Sequence, residues 1–310
     1  MVRYVLKRIG YMIITFFVIV TLTFIAMKLL PGTPFKTQSR LSPEQLAQLR
    51  HYYGLDQPIP VQYVQYLWHA LHGDLGGSFQ YGMRPITTML AEKFPVSLDL
   101  GLEAIILGAI IGILLGIVAG IKRGTFIDYG SMIISVLGIS IPSFIFAVFL
   151  QYYFAVKNQW LPVAEWNGGI SYHILPVVAL SVAVIANVAR FMRTEMVEVL
   201  GQDYIITAKA KGISSTAVVF KHAVRNAMIP VITILGPLTA AIITGSLVIE
   251  NIFAIPGIGN QFVESILTND YPMIMGTTEL YAALFIITVF IVDILYVIID
   301  PRIRLTGGDA

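Results

Sequence analysis

Six stretches of the chain stay apolar for roughly 20 residues each, at about 10–30, 97–121, 131–156, 174–190, 228–249 and 279–299. A run of that length crosses the hydrocarbon core of a bilayer as a helix. Lipid offers backbone N–H and C=O groups no partner, so each run must close its own hydrogen bonds. The apolar character is continuous rather than alternating, which excludes a membrane β-barrel. The first run follows Arg3, Lys7 and Arg8 and ends in Leu29-Leu30-Pro31-Gly32-Thr33-Pro34 without a small-residue cleavage site, so it reads as a retained helix and not a signal peptide. The pattern predicts an all-α polytopic membrane protein with six transmembrane helices.

The polar intervals carry their own signals. Ser42-Pro43-Glu44-Gln45 has a capping residue, proline at the first helical position and Gln three residues after the cap, and predicts a short helix from Pro43 to Tyr53 before Gly54. A second, from about Pro60 to His72, carries Tyr63, Tyr66, Leu67 and Trp68 and stops at Gly73; this aromatic content suits a membrane interface. Pro85 opens a third, ended by Pro95. The chain thus divides into 1–30 (N-terminal segment and helix one), 31–96 (external loop with short helices) and 97–310 (helices two to six).

Charge sets the expected orientation. With the N-terminus inside, 13 of the 20 Lys and Arg gather on the cytoplasmic side, including Arg190, Arg193, Lys209, Lys211, Lys221, Arg225, Arg302 and Arg304, and both termini are cytoplasmic. Composition agrees with a bilayer: 56% of residues are hydrophobic and 12% charged, too few polar groups to cover a soluble domain. The net charge of +2 gives no argument for nucleic acid, and none is expected as a partner. Without cysteine, disulfides and thiolate metal sites are excluded.

Within the runs, Gly108, Gly112, Gly116 and Gly120 recur every four residues on helix two, a face on which another helix backbone can approach closely. Static packing and a sliding pivot both fit that stripe. Gly138 and Pro142 predict a bend in helix three, Gly236-Pro237 one in helix five. Glu103, Glu279 and Asp293 lie at membrane depth, where a charge must face a cavity or a partner. Together with Pro142 and the Pro256-Gly257 turn they are candidates for the translocation path or gate; pairing between helices, and a plain connecting turn, are the alternatives. His69 and His72 near Asp74 give the one ligand-like histidine spacing; they fit interfacial packing better than a nickel site, and no metal site is expected.

The long interval between helices four and five, 191–227, is patterned. Tyr204 to Lys211 has helical propensity, Gly212 breaks it, and Ser214 to Arg225 resumes, predicting two short helices around a glycine hinge. Such an element fits a groove on a soluble partner, or equally an anionic lipid surface. Asp203 to Pro230 reads DYIITAKAKGISSTAVVFKHAVRNAMIP. It resembles the EAA loop of ABC importer permeases, with Ala208 and Gly212 at the last alanine and the glycine, in the form found in the peptide and nickel branch. Ile206 and Thr207 depart from the general Glu-Ala start, and Arg225 stands at the general proline. GLDQP (54–58), HGDLGGSF (72–79), IPSF (141–144), PGIG (256–259) and DPRIR (300–304) extend the resemblance to the B-type subunit of oligopeptide permeases over nearly the whole chain.

The resemblance implies a type I ABC importer permease fold in the inner or plasma membrane of a prokaryote. It implies a second homologous permease, two ATPase subunits and an external substrate-binding protein as partners, and a peptide as cargo. ATP and Mg would be bound by the ATPases and no cofactor by this chain, which has no GxxxxGK[ST] phosphate loop and no catalytic residues of its own. The ATPase-coupling residues would be Tyr204, Thr207, Ala208, Lys209, Ala210, Lys211, Gly212, Ile213, Ser214 and Ser215. Oligopeptides lead as cargo, with dipeptides, glutathione, peptide pheromones and nickel chelates behind. An intramembrane enzyme would need a catalytic constellation such as HExxH or GxSxG, and a secondary transporter paired broken helices in inverted repeats; the chain has neither pattern.

Overall fold

The computed structural model describes residues 2–32, 34–35, 42–167, 169–243 and 247–299; the DPRIR segment lies outside them. These residues form helices and no named strand, with one isolated bridge between Gly77 and Pro85. In order they are α1 (Val2–Leu29), α2 (Pro43–Tyr52), α3 (Ile59–Leu71), α4 (Ile86–Ile121), α5 (Phe126–Ser140), α6 (Ser143–Leu150), α7 (Ile170–Leu200), α8 (Asp203–Ala210), α9 (Ser215–Ala217), α10 (Val224–Ile243), α11 (Leu247–Ile252), α12 (Ile258–Leu267) and α13 (Tyr271–Ile299). π-helical turns at Gln151–Lys157 and Val218–Ala223 continue α6 and join α9 to α10.

Five of the described helical spans are long and apolar enough to cross a membrane: Val5–Leu29, Ile86–Ile121, Ile170–Leu200, Ser215–Ile243 and Tyr271–Ile294. The sixth apolar run is not one helix. Phe126–Ser140 and Ser143–Lys157 meet at a 100° bend. Pro142 has no N–H to continue the ladder and forces Ile141 into extended backbone, ψ 119°.

Other boundaries differ from the hydropathy pattern for physical reasons. Pro95 does not end a helix; α4 runs through it, with Leu90 and Leu100 on either side buried. Likewise α10 carries Pro230 and Pro237 as one helix, a tolerance that membrane helices show when neighbouring groups re-satisfy the freed carbonyls. α7 continues past Arg190 and Arg193 to Leu200, because Ala189, Met192, Met196 and Val199 keep an apolar stripe in contact with the core. The second short helix of the 191–227 interval is the start of the Ser215–Ile243 span. Of the run 228–249, the described residues belong to α10, to Ile243, and to α11, from Leu247.

The chain divides into two compact units. The first comprises 1–96 and 257–283. Val20, Phe24 and Met27 of α1 pack with Ile274, Met275 and the α3 residues Tyr63, Tyr66 and Leu67. The Tyr66 hydroxyl donates to Glu279, and Lys28 Nζ donates to Gln62 Oε1 at 2.5 Å. Ser42 and Gln45 form a reciprocal capping box at α2. Asp270, wholly buried, accepts from the Ser78 hydroxyl and from the Phe79 N–H at 3.0 Å; burial pushes its carboxyl above the ordinary range.

The second unit, 97–256 and 284–310, is organised on α7. A Cβ built on Gly108, Gly112, Gly116 or Gly120 of α4 would lie 2.5–2.8 Å from the Cβ of Val184, Val188, Met192 or Met196 respectively. Each glycine therefore faces its own side chain on α7, and the row of four holds the two backbones together. α5 packs on the same helix, Gly138 against Val182 and Ala186. Arg193 donates to Asp128 through Nε (3.0 Å) and Nη2 (2.8 Å), a forked pair on a carboxylate only 1% exposed, which Gly124 N–H also meets at 2.9 Å.

The glycine row yields a graded expectation. Gly116→Ala forces a methyl against Met192 Cβ and the Ala189 carbonyl and should cost about 1–3 kcal/mol of packing, while Gly10→Ala, with open space around it, should be neutral. Thermal melting of the detergent-solubilised protein checks this; equal melting of the two variants contradicts it.

Candidate functional site

The connection between α7 and α10 is a compact element built from its own residues. α7 ends at Leu200 and Gly201, and α8 begins after Gln202 with Asp203 in its first turn, where a carboxylate suits the helix dipole. Ile205 and Ala208, three residues apart, turn inward and are buried. They join Met196, Val199, Val218, Ala223 and Ala227 in one apolar cluster, so α8 is anchored to the ends of the two spanning helices it connects. Asn226 on α10 adds a polar tie, donating through Nδ2 to the Tyr204 hydroxyl at 2.8 Å.

α8 stops by a Schellman motif. Ile213 N–H donates to Ala208 O (3.3 Å) and Gly212 N–H to Lys209 O (3.0 Å), the six-to-one and five-to-two bonds of that cap. It requires a left-handed residue, and Gly212 has φ +79°. Ile213 then packs against the cluster beneath α8. Ser214 caps the next helix, its hydroxyl accepting from Ala217 N–H at 3.4 Å. Gly212 is thus a fixed helix stop, and the hinge expected from the sequence takes the form of a defined turn.

Outward, the element shows a mixed face. Tyr204 is 43% and Ile206 58% exposed, Phe220 on the π-helical turn 62%, and Thr207, Lys209, Ala210, Lys211, Ser215 and Lys221 are exposed with them. Ile205 and Ala208, the inward stripe of α8, are spent on its own protein. What remains accessible is an apolar spot with basic residues around it, a pattern that suits a groove on a soluble partner or an anionic lipid surface.

The path candidates take specific partners. Glu103 lies against His173, Nδ1 to Oε1 2.9 Å. Glu279 is 9% exposed and engaged by Tyr66 within the first unit. Asp293 is half-buried on α13. Pro142 stands at the break before α6, and Gly257 caps α12, whose Ile258, Gly259, Gln261 and Ser265 are buried, so the PGIG turn leads into a packed helix. His69 and Asp74 approach to 3.5 Å, both exposed, and His72 Nδ1 lies 2.7 Å from Trp68 O, so the three do not converge. Buried Glu250, which accepts from Ser97 at 2.8 Å, and the exposed Phe220 were not evident in the sequence; only Glu250's place beside an apolar run hinted at it.

Two family models cover the chain. Residues 112–305 match the binding-protein-dependent transport system inner membrane component, and residues 1–102 match the N-terminal part of such membrane components. The chain belongs to this permease family. It is the multi-pass membrane subunit of an ABC importer, whose ATPase is carried on separate subunits. The permease is 47% identical to the dipeptide transport system permease protein DppB of Lactococcus lactis over 98% of this chain and 100% of that protein. It is 48% identical to DppB of Bacillus subtilis (98% and 99% covered) and 44% identical to the oligopeptide transport system permease protein OppB of Salmonella typhimurium (98% and 100%). Among solved structures, the inward-facing MetNI methionine ABC transporter superposes with TM-score 0.57 at 18% identity, over 69% of the permease and 97% of that chain. An amino acid ABC transporter superposes at 0.51 and 15%, over 70% and 95%. These two likenesses establish the fold.

The cap at Gly212 gives a test confined to this element. Nothing lies within 4 Å of a Cβ there, so the cost of substitution is backbone strain alone. Gly212→Asn should be nearly silent, Gly212→Ala should cost about 1–2 kcal/mol, and Gly212→Val more. Membrane insertion should persist in all three while ATP-driven uptake falls in that order; undiminished uptake in Gly212→Val contradicts a role for this turn.

Proposed function

We propose that the permease forms one half of a translocation path for short peptides, with a second homologous permease as the other half, and that α8 with Gly212 to Ser215 is its contact with an ATPase subunit. An external substrate-binding protein would deliver the cargo. The observation that carries the coupling assignment is the outward face of α8, anchored through Ile205 and Ala208 while Tyr204, Ile206, Lys209 and Lys211 stay accessible. ATP can bias the path only through contacts that differ between its two states, and this is the exposed element most directly tied to two spanning helices. Cytoplasmic termini, supported by the Lys and Arg distribution, put α8 on the side where ATP is found.

Two cargo readings rest on different observations. The sequence motifs favour oligopeptides, whereas identities of 47–48% to permeases named for dipeptides, against 43–44% to those named for oligopeptides, favour dipeptides. Uptake of labelled dipeptides and of tetra- to hexapeptides, in cells lacking the chain and in cells with it restored, separates them. Peptide uptake should return only with the chain and fail on ATP depletion; restoration of neither class overturns the peptide reading.

Absence of cysteine makes the coupling face directly addressable. A single Ile206→Cys should react with an impermeant maleimide in inverted vesicles stripped of the ATPase and be protected when the ATPase is rebound. Trp160→Cys, at a position 67% exposed in the connection before α7, should react only from the other side. Labelling of both from one side contradicts the assigned orientation, and unprotected Ile206→Cys contradicts the docking.

A further inference from the structure

α4 carries Asp99 and Glu103 one helical turn apart, and α7 brings His173, in its first turn, against them. His173 Nδ1 lies 2.9 Å from Glu103 Oε1 and 3.1 Å from Oε2. Asp99 joins the same point: one ligand atom from each of the three residues lies within 4.8 Å of the other two. Trp166 lies flat on the imidazole, ring centroids 3.8 Å apart at 24°, which fixes the plane of the ring. Nε2 is buried on the other side with no hydrogen-bond partner, leaving Nδ1 as the nitrogen directed at the carboxylates.

Two carboxylates at this spacing repel each other, and α4 is otherwise among the most apolar helices of the chain, a setting in which unpaired charge is costly. The Glu103–His173 contact occupies one carboxylate. It leaves Asp99, on the exposed side, converging on the same atoms. A doubly charged cation offsets both carboxylates and uses the imidazole lone pair.

We propose that Asp99, Glu103 and His173 hold one divalent first-row transition cation, through one oxygen of each carboxylate and Nδ1 of the imidazole. Metal–ligand bonds of about 2.0–2.2 Å set ligand atoms about 3 to 3.5 Å apart; the Nδ1 to Oε2 separation of 3.1 Å already meets this, and the Asp99 oxygen, within 4.8 Å of the other two ligand atoms, would draw in to it on binding. Two carboxylates with one imidazole suit manganese, iron, nickel or zinc, and an imidazole ligand disfavours magnesium and calcium. Open positions on the Asp99 side are filled by water. The cation bridges α4 to the first turn of α7, at one end of the two helices that the glycine row holds together. Binding is measured without transport, so the inference stands or falls apart from the cargo and coupling assignments.

The test uses the permease purified in detergent with its co-purifying subunits and a histidine-free tag, stripped with chelator and then titrated with Mn²⁺ and with Zn²⁺. Bound metal is counted by mass spectrometry, and the Mn²⁺ site is examined by pulsed EPR for nitrogen coupling. One ion per permease chain is expected, with coupling to a single imidazole nitrogen. Asp99→Asn, Glu103→Gln and His173→Gln should each weaken binding about tenfold or more while the protein stays monodisperse, and His173→Gln should abolish the nitrogen signal. No binding by the unmodified chain at millimolar metal, or an unchanged count in the triple variant, overturns the proposal. So does a chain that binds no metal but in which Glu103→Gln selectively lowers uptake of peptides with a free amino terminus and spares N-acetylated ones, since the pair then recognises an ammonium group.

Discussion

The close approach of α4 to α7 is the contact on which the second unit depends. Inside a bilayer the hydrophobic effect does not drive helices together, because lipid tails are as apolar as leucine; association rests on dispersion between surfaces that fit. Removing four β-carbons from one face of α4 lets Val184, Val188, Met192 and Met196 sit against its backbone. Rows spaced by four residues on both helices mesh as ridge into groove. With α7 fixed on this side, α5 is held against another by Gly138 and by the forked Asp128–Arg193 pair. α10 closes on it through the cluster that also receives α8.

Much of this was readable from residue order. Hydropathy marks the spanning runs because lipid imposes one requirement on all of them, and the Ser42 capping box and the Ile141-Pro142 break are local chemistry that needs no tertiary knowledge. Failures came where tertiary contacts override local rules. Pro95 stops a helix in isolation, yet remains inside one whose flanks are packed. Arg190 and Arg193 look like the end of a span, but the residues interleaved with them stay on the core face and carry α7 onward. Buried Glu250 and the convergence of Asp99, Glu103 and His173 depend on which helices meet, which residue order does not state.

The α7–α10 connection shows the same division more finely. Its glycine was legible as a break, and the reason for that break is the geometry of one cap. Gly212 is required because the chain must turn left-handed there for two carbonyls of α8 to find donors, and Ile213 then covers the cluster beneath. The turn is therefore defined by hydrogen bonds at both ends, by Ser214 on the far side and by the bond from Asn226 to Tyr204 across it. Motion of α8 cannot be absorbed in a slack loop; it must carry the ends of α7 and α10 with it.

The length of α7 has a consequence for where α8 stands. Thirty-one residues without a break span about 46 Å at 1.5 Å per residue, against about 30 Å of hydrocarbon. Even tilted, the helix exceeds the hydrocarbon by roughly two to three turns. Helix α8 is therefore mounted on a stalk: the ten residues of α7 from 191 to 200 lie past the apolar run that ends at Arg190, and they carry α8 clear of the hydrocarbon.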